Sequence, residues 1–305
     1  MRLANVMAGY WLDRDDLAKT TVEQYQYFYK LLQSYLPDDP EFEAITARQV
    51  KQFLSYLAGE RGLSKKTAAL CWAALASLWK WASKEIECEN VVKAVPIPKY
   101  QAKLIEPYTS DQIKAMLSSA EYYTADRGGK RTKVRRATGL RDRAIILTLL
   151  DCGLRATELC NLKVGDYDQS RGRVMVKQGK GSKDRAVFAG KRTQKAIWRY
   201  LAERDKVKPT DNLFASSETG NRMDRNNLRK LLQRIGDHAG VEGVTVHRYR
   251  HTCAISLLRN GASSLAVQRV LGHEDLKTVL IYVKLAECDL EQVASAQSPA
   301  DIWRL

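Results

Sequence analysis

The stretch VPIPKYQAKLIEPY, residues 95–108, decides how the rest of the chain is read. Pro96, Pro98 and Pro107 lack the N–H of a helical hydrogen bond and clash with the turn before them, so no helix runs through. Apolar-periodic segments lie on both sides, and the proline run reads as an interdomain connection. A chain of 305 residues, 45% of them hydrophobic, is long enough for about two domains of ordinary size, each with its own core. The expected organisation is a helical domain over 1–96, a linker over 97–108 and a second domain over 109–305.

Upstream of the linker three helices are expected, each opening on a hydroxyl residue that can satisfy free backbone amides. Thr20 with Glu23 and Thr46 with Gln49 fit the capping box, and Ser64 precedes the run KKTAALCWAALASLWKWA, which begins with Lys65 and Lys66. Within that run Leu70, Ala74, Leu78 and Trp81 recur at spacings of three or four and predict one apolar stripe.

Downstream, Thr109 and Gln112 form a further capping box ahead of IKAML. Residues 127–136, RGGKRTKVRR, carry six Lys and Arg without apolar periodicity and read as a basic loop. That loop is either a solvated charge run or a direct phosphate contact through Lys130, Arg131, Lys133, Arg135 and Arg136. After the apolar helix AIILTLLDCG and the segment LRATELCNL, the stretch RGRVMVKQGKGSKDRAVF places two β-rich runs around a Gly-containing turn, a hairpin pattern. KAIWRYLAERD, NNLRKLLQRIG, HRYRHTCAISLLRNG, SLAVQRVLG and KTVLIYVKLA read as helices. The predicted fold is mainly α with a small β-sheet.

Charge divides the chain at the same place. Residues 1–96 hold 12 Lys+Arg against 12 Asp+Glu and the remainder 38 against 23, so the formal +15 belongs wholly to the second part. Such a field attracts polyanions, and a nucleic-acid partner is the leading reading, with a generically basic protein as the alternative. Cys71, Cys88, Cys152, Cys160, Cys253 and Cys288 form no C-x-x-C pair and sit in apolar helical patterns. They are expected to be buried thiols of a reducing compartment and not zinc ligands. No stretch approaches the ~18 apolar residues of a membrane span, so a cytosolic protein is expected.

Phosphoryl transfer on DNA needs a nucleophile, cations around the non-bridging oxygens and an acid for the departing 5′ oxygen. Arg155 and Arg250 are candidates for the cations, since a guanidinium forks onto two oxygens and keeps its charge; Arg155 has the alternative of pairing with Glu158 one turn on. His247 and Arg250, three residues apart on a helix, can face one phosphate. Lys180, between Gly179 and Gly181, suits a proton donor or is a solvated turn residue. His247 and His251 have metal spacing but no third ligand. Tyr282 in VLIYVKL is a candidate nucleophile or a half-buried core tyrosine.

In this combination the chain resembles the tyrosine recombinases, or phage integrases. LLDCGLRATELCNLKVGD is similar to the family's first arginine box and places the first catalytic arginine on Arg155 and the box acid on Glu158. QGKGSKDRAVF resembles the strand–loop segment of the catalytic lysine, which falls on Lys180, with Lys183 as its neighbour. HRYRHTCAISLL resembles the H-x-x-R-H box and gives His247 and Arg250, with His251 following. LGHED resembles the third box and gives His273; IYVKL, nine residues on, gives Tyr282. The N-terminal segment resembles the family's helical, SAM-like core-binding domain, with S-x-x-T at Ser64 to Thr67.

The resemblance implies an α+β catalytic domain in which Tyr282 attacks a phosphodiester, leaving a 3′-phosphotyrosyl bond and a free 5′ hydroxyl. His247 would accept the phenol proton, Arg155, Arg250 and His273 would stabilise the transition state, Lys180 would protonate the leaving oxygen and Glu158 would orient its neighbours. No metal or nucleotide is required. The implied partners are double-stranded DNA with specific core sites, contacted by Lys65, Lys66 and the basic stretch, and three further copies in a tetrameric synapse. Residues 288–305, with Ile302, Trp303 and Leu305, are the expected exchanged segment, and no separate arm-type DNA-binding domain is expected. Two rivals stand beside this: a type IB topoisomerase-like enzyme that relaxes a single duplex, and a non-catalytic DNA-binding regulator. The target sequence is not legible, because base recognition rests on side chains that no motif specifies.

Overall fold

The computed structural model describes residues 1–101, 105–127, 130–177, 184–216, 220–272, 280, 282 and 283, and of Asp126, Arg127 and Lys130 the backbone alone. Two compact units are present, Met1–Lys103 and Leu104–Leu305.

The first unit is helical: α1 (Leu3–Leu12), α2 (Lys19–Tyr35), α3 (Ala47–Gly59) and α4 (Lys65–Glu85), with 3₁₀ turns at Phe42–Ala44 and Val91–Ala94. Leu3, Tyr10, Phe28, Leu32, Phe53, Leu57, Leu75, Leu78 and Trp79 fill its core. Two tyrosine hydroxyls tie α1 and α2 to α4, Tyr10 Oη with Ser77 Oγ at 2.7 Å and Tyr29 Oη donating to Ala74 O at 2.9 Å. The Thr46–Gln49 capping box and the Ser64 cap form as expected.

Three expectations for this unit need correction. Helix α1 was not expected; it has no side-chain cap, and its signal is the inward face Leu3, Val6, Met7, Tyr10. Helix α2 begins at Lys19 behind Ala18 without a capping side chain, so Thr20 and Glu23 already lie inside the helix. The buried stripe of α4 runs through Ala68, Cys71, Ala74, Leu75, Leu78, Trp79 and Ala82, which leaves Leu70 40% exposed. The stripe alternates small residues, Ala68, Cys71, Ala74 and Ala82, with the large Leu75, Leu78 and Trp79, one step round the helix from the expected Leu70 and Trp81.

The second unit begins with α5 (Ser110–Glu121), capped by the Thr109–Gln112 box, followed by β1 (Tyr122–Arg127) and β2 (Lys130–Arg135). Next come α6 (Gly139–Cys152), α7 (Ala156–Asn161), β3 (Tyr167–Asp168), β4 (Arg173–Val176) and β5 (Arg185–Phe188). Helices α8 (Lys191–Ala202), α9 (Arg225–Ala239), α10 (Val246–Arg259) and α11 (Ser264–Leu271) follow. Helix α6 is the centre: Ala144, Ile145, Ile146, Leu149 and Cys152 are wholly buried, as befits the nearly continuous apolar run 144–150, and α5, α8 and α10 pack around it. The small sheet is antiparallel in the order β3-β4-β5, with Val174 opposite Val187.

The basic stretch expected as a loop is an antiparallel hairpin, Tyr122 opposite Arg135 through Arg127 opposite Lys130. Its strands lack apolar alternation because the ribbon stands on the surface. The legible signal was Gly128-Gly129, a two-residue spacing favoured between hairpin strands. Among the described residues Cys71, Cys88, Cys152, Cys160 and Cys253 are free thiols, and burial pushes Cys71 up to about 12 and Cys160 to about 11. Among the described residues no helix is long and apolar enough to cross a membrane.

Candidate active site

Helix α6 ends at Gly153 with φ +57°, a left-handed conformation that glycine enters without strain. That turn puts Arg155 at the N-cap of α7. Glu158, in the first turn, accepts from the Arg155 backbone N–H at 2.7 Å and from its Nη1 at 2.8 Å. The same carboxylate accepts a second pair from Arg185 on β5, Nη1 to Oε1 at 2.9 Å and Nη2 to Oε2 at 2.8 Å. Burial alone would raise the Glu158 carboxyl; the bonds from Arg185 and Arg155 outweigh it and hold the group at about 2. The Arg155–Glu158 pairing anticipated from sequence is therefore present, and it leaves the Arg155 side chain 41% exposed.

The C-terminal end of α11 carries carbonyls without intrahelical partners. Three arginines take them one each. Val270 O accepts from Arg185 Nε at 2.9 Å, Leu271 O from Arg250 Nη2 at 2.6 Å and Gly272 O from Arg155 Nη2 at 3.2 Å. Cations are favoured at this negative end of the helix dipole. Arg250 also donates from Nη1 to Gly153 O at 2.7 Å, so one guanidinium joins the ends of α6 and α11. It is only 2% exposed, and burial together with the Arg155 charge lowers it to about 10, still protonated at neutral pH.

Tyr282 lies beside this cluster, 2% exposed among Ala254, Ile255, Leu258, Val267 and Leu271. Its ring meets His251 edge-on at 4.9 Å, and His251 meets His247 in the same manner at 4.5 Å. Burial raises the phenol above its ordinary 10, while the Arg250 and Arg155 charges pull it down. His251 is lowered to about 4, first by burial and then by His247 and Arg250, and its Nδ1 has no hydrogen-bond partner among the described residues.

The fold thus gathers Arg155, Glu158, Arg250, His247 and Tyr282. Lys180, His273 and the segment 288–305 lie outside the described residues. Lys65 and Lys66 are exposed in the first turn of α4, in the other unit. On the hairpin, Arg131, Lys133 and Arg135 are exposed; Lys133 bonds Ser118 Oγ at 3.2 Å, and Arg135 pairs with Glu203 at 3.0 Å. Arg136 is half-buried and pins the hairpin to α5 through Ser119 O at 3.0 Å. Lys130 is placed by its backbone alone. Sequence reasoning missed Arg185 and gave His251 no part beside Tyr282. Among the described residues no group of three His, Cys, Asp or Glu side chains gathers as metal ligands.

A tyrosine thus lies beside guanidiniums that share one helix end, where charge on a phosphate could be balanced. The chain belongs to the phage integrase family: the family's description matches residues 106–288, and its N-terminal SAM-like domain matches residues 11–86. It is 31% identical over 292 residues to tyrosine recombinase XerA of Thermococcus kodakarensis, covering 96% of this chain and 93% of that protein. It is also 31% identical over 245 residues to tyrosine recombinase XerC of Actinobacillus pleuropneumoniae, covering 79% and 74%. Among solved structures, a XerA recombinase superposes with a TM-score of 0.52 at 25% identity, covering 97% of this chain and 98% of that one. The Tn1549 transposon integrase, in complex with a circular intermediate DNA, shares the fold with a TM-score of 0.79 at 17% identity, covering 96% and 99%. The architecture is therefore a mainly helical, SAM-like N-terminal domain joined to a tyrosine recombinase catalytic domain.

Proposed function

We propose that this protein is a site-specific tyrosine recombinase that cleaves and rejoins DNA through a 3′-phosphotyrosyl intermediate. The observation that carries the reading is the meeting of Arg155, Arg250 and Tyr282 around the end of α11. Tyr282 Oη attacks the scissile phosphorus, the bond to the 5′ oxygen breaks, and the free hydroxyl of the partner strand later reverses the step. Arg155 and Arg250 balance the charge on the non-bridging oxygens, where preorganised donors are worth most. His247 takes the phenol proton, His273 adds a donor, Lys180 protonates the leaving oxygen, and Glu158 holds Arg155 in place. These cations are side chains, and the reading calls on no metal or nucleotide.

The DNA-binding surface is assigned to the exposed lysines and arginines of both units. Lys65 and Lys66 sit at the positive end of α4, where cations are disfavoured unless a ligand uses them. Arg131, Lys133 and Arg135 share one face of the hairpin by strand alternation, with Lys130 at its start and Arg136 at its base. The remaining assignments are a tetramer on two paired core sites, exchange of residues 288–305 between copies, and action in the cytoplasm. The boundaries 1–96, 97–108 and 109–305 stand as the proposed domain limits.

Strand exchange tests the function. A core site is selected from random-sequence duplexes by covalent capture, and two copies are placed on one supercoiled plasmid. A recombinase yields excised or inverted circles that depend on both copies. Relaxation of plasmids without the site would assign the topoisomerase-like reading, and binding without any strand transfer would assign the regulator.

A further inference from the structure

Arg185 lies in the segment QGKGSKDRAVF but was given no role there, and its side chain makes three hydrogen bonds in the site. It is the first residue of β5, and alternation along that strand turns it inward on the side of buried Val187. Its side chain is 9% exposed. A guanidinium so placed needs its donors matched, and three are: two meet the Glu158 carboxylate as a parallel fork, and Nε reaches Val270 O in the last turn of α11. The stem crosses Gly272 so closely that a Cβ there would lie 2.9 Å from Arg185 Cδ and 3.1 Å from its Cζ. Gly272 has φ +65°, so the absence of a side chain serves both its backbone and the arginine lying over it.

Glu158 is thereby shared. One edge of its carboxylate holds the Arg155 guanidinium, and both of its oxygens are fixed by Arg185. Arg155 in turn reaches Gly272 O, two residues from the carbonyl that Arg185 takes. Without the second arginine the carboxylate would keep only its bonds to Arg155 itself, from the backbone N–H at 2.7 Å and Nη1 at 2.8 Å, and would no longer be tied to β5. We propose that Arg185 is a positioning residue for DNA cleavage, which fixes Glu158 and the end of α11 so that Arg155 meets the scissile phosphate. It touches no reacting atom. This inference rests on the recombinase reading.

The test uses the full-length protein and a nicked suicide duplex carrying the selected core site, with single-turnover rates at saturating protein and affinity measured separately. Arg185→Met is expected to slow covalent adduct formation about 10- to 100-fold, the range for lost outer-shell support, with affinity within about twofold. The double variant Arg155→Ala, Arg185→Met should be no more than about twofold slower than Arg155→Ala alone, because the two residues act through one group. On a duplex whose scissile phosphate is a methylphosphonate, one non-bridging charge is absent and the demand on Arg155 falls, so the Arg185→Met deficit should shrink. Arg185→Lys keeps the buried charge without the fork and serves if the methionine variant does not fold; it too should be slow on phosphate.

A wild-type rate in Arg185→Lys, a multiplicative loss in the double variant, or an equal deficit on both linkages would overturn the proposal and leave Arg185 a packing residue. Failure of the wild type to form any adduct would instead sink the recombinase reading beneath it.

Discussion

Arg250 is tolerated at 2% exposure because its donors meet carbonyls that would otherwise be orphaned at two helix ends. Arg250→Ala should therefore lower stability as well as rate: each buried carbonyl left unpaired costs about 1–3 kcal/mol, and loss of one preorganised donor slows cleavage on the order of 10²-fold or more. Arg250→Lys should fail as well, since an ammonium cannot span Gly153 O and Leu271 O; urea midpoints and suicide-duplex rates check both. His251 supplies a pH signature. Its imidazole falls from an ordinary 6.5 to about 4 in the fold, so the folded chain stays neutral where the unfolded chain takes a proton. That contribution to stability is complete above about 6.5 and is lost as pH falls toward about 4. The melting temperature should drop between pH 7.5 and 5.5, and less so in His251→Gln; equal drops would remove His251 from the account. Arg155, Glu158, His247, Arg250 and Tyr282 could be proposed from the sequence because each lies in a short local segment that resembles a family box, and the fold brings them together. Arg185 was legible in principle, two residues before the core position Val187, but its carboxylate partner lies 27 residues away and only the fold brings it there.

Element boundaries were readable where a side chain sets them and not where packing does. The boxes at Thr46 and Thr109 and the cap at Ser64 start their helices as expected, whereas α1 and α2 have no such cap and are held by burial. The hairpin was missed because a ribbon with both faces near solvent shows no alternation of apolar residues. The turn at Gly153 is the element on which the site depends most. A Cβ there would lie 2.8 Å from Leu271 Cδ2 and 3.2 Å from Cys253 Sγ, on a backbone that L-residues avoid. Gly153→Ala should destabilise the protein by about 1–3 kcal/mol through backbone strain and overpacking together. Its cleavage rate should fall as well, because the same turn sets Arg155 and presents Gly153 O to Arg250. An unchanged denaturation midpoint would contradict this.

Across the whole molecule, the two-unit organisation was legible from the proline run and from the confinement of the +15 to the second part, while the target sequence was not, since no periodicity encodes groove contacts. Charge of this kind makes binding strongly dependent on salt. Replacing Arg131, Lys133 and Arg135 together by Ala should flatten the slope of log K against log salt by up to about 3, at about 0.9 per phosphate contact. The change should be smaller if Arg135 stays with Glu203, and an unaltered slope would take the hairpin off the DNA. The central claim is the identity of the nucleophile. The most direct measurement digests the covalent adduct formed on the selected suicide duplex and locates the nucleotide-bearing residue by mass spectrometry, beside Tyr282→Phe. We expect a phosphonucleotide on Tyr282 and no adduct from the phenylalanine variant; an adduct mapped to any other residue, or one that persists in Tyr282→Phe, would contradict the account.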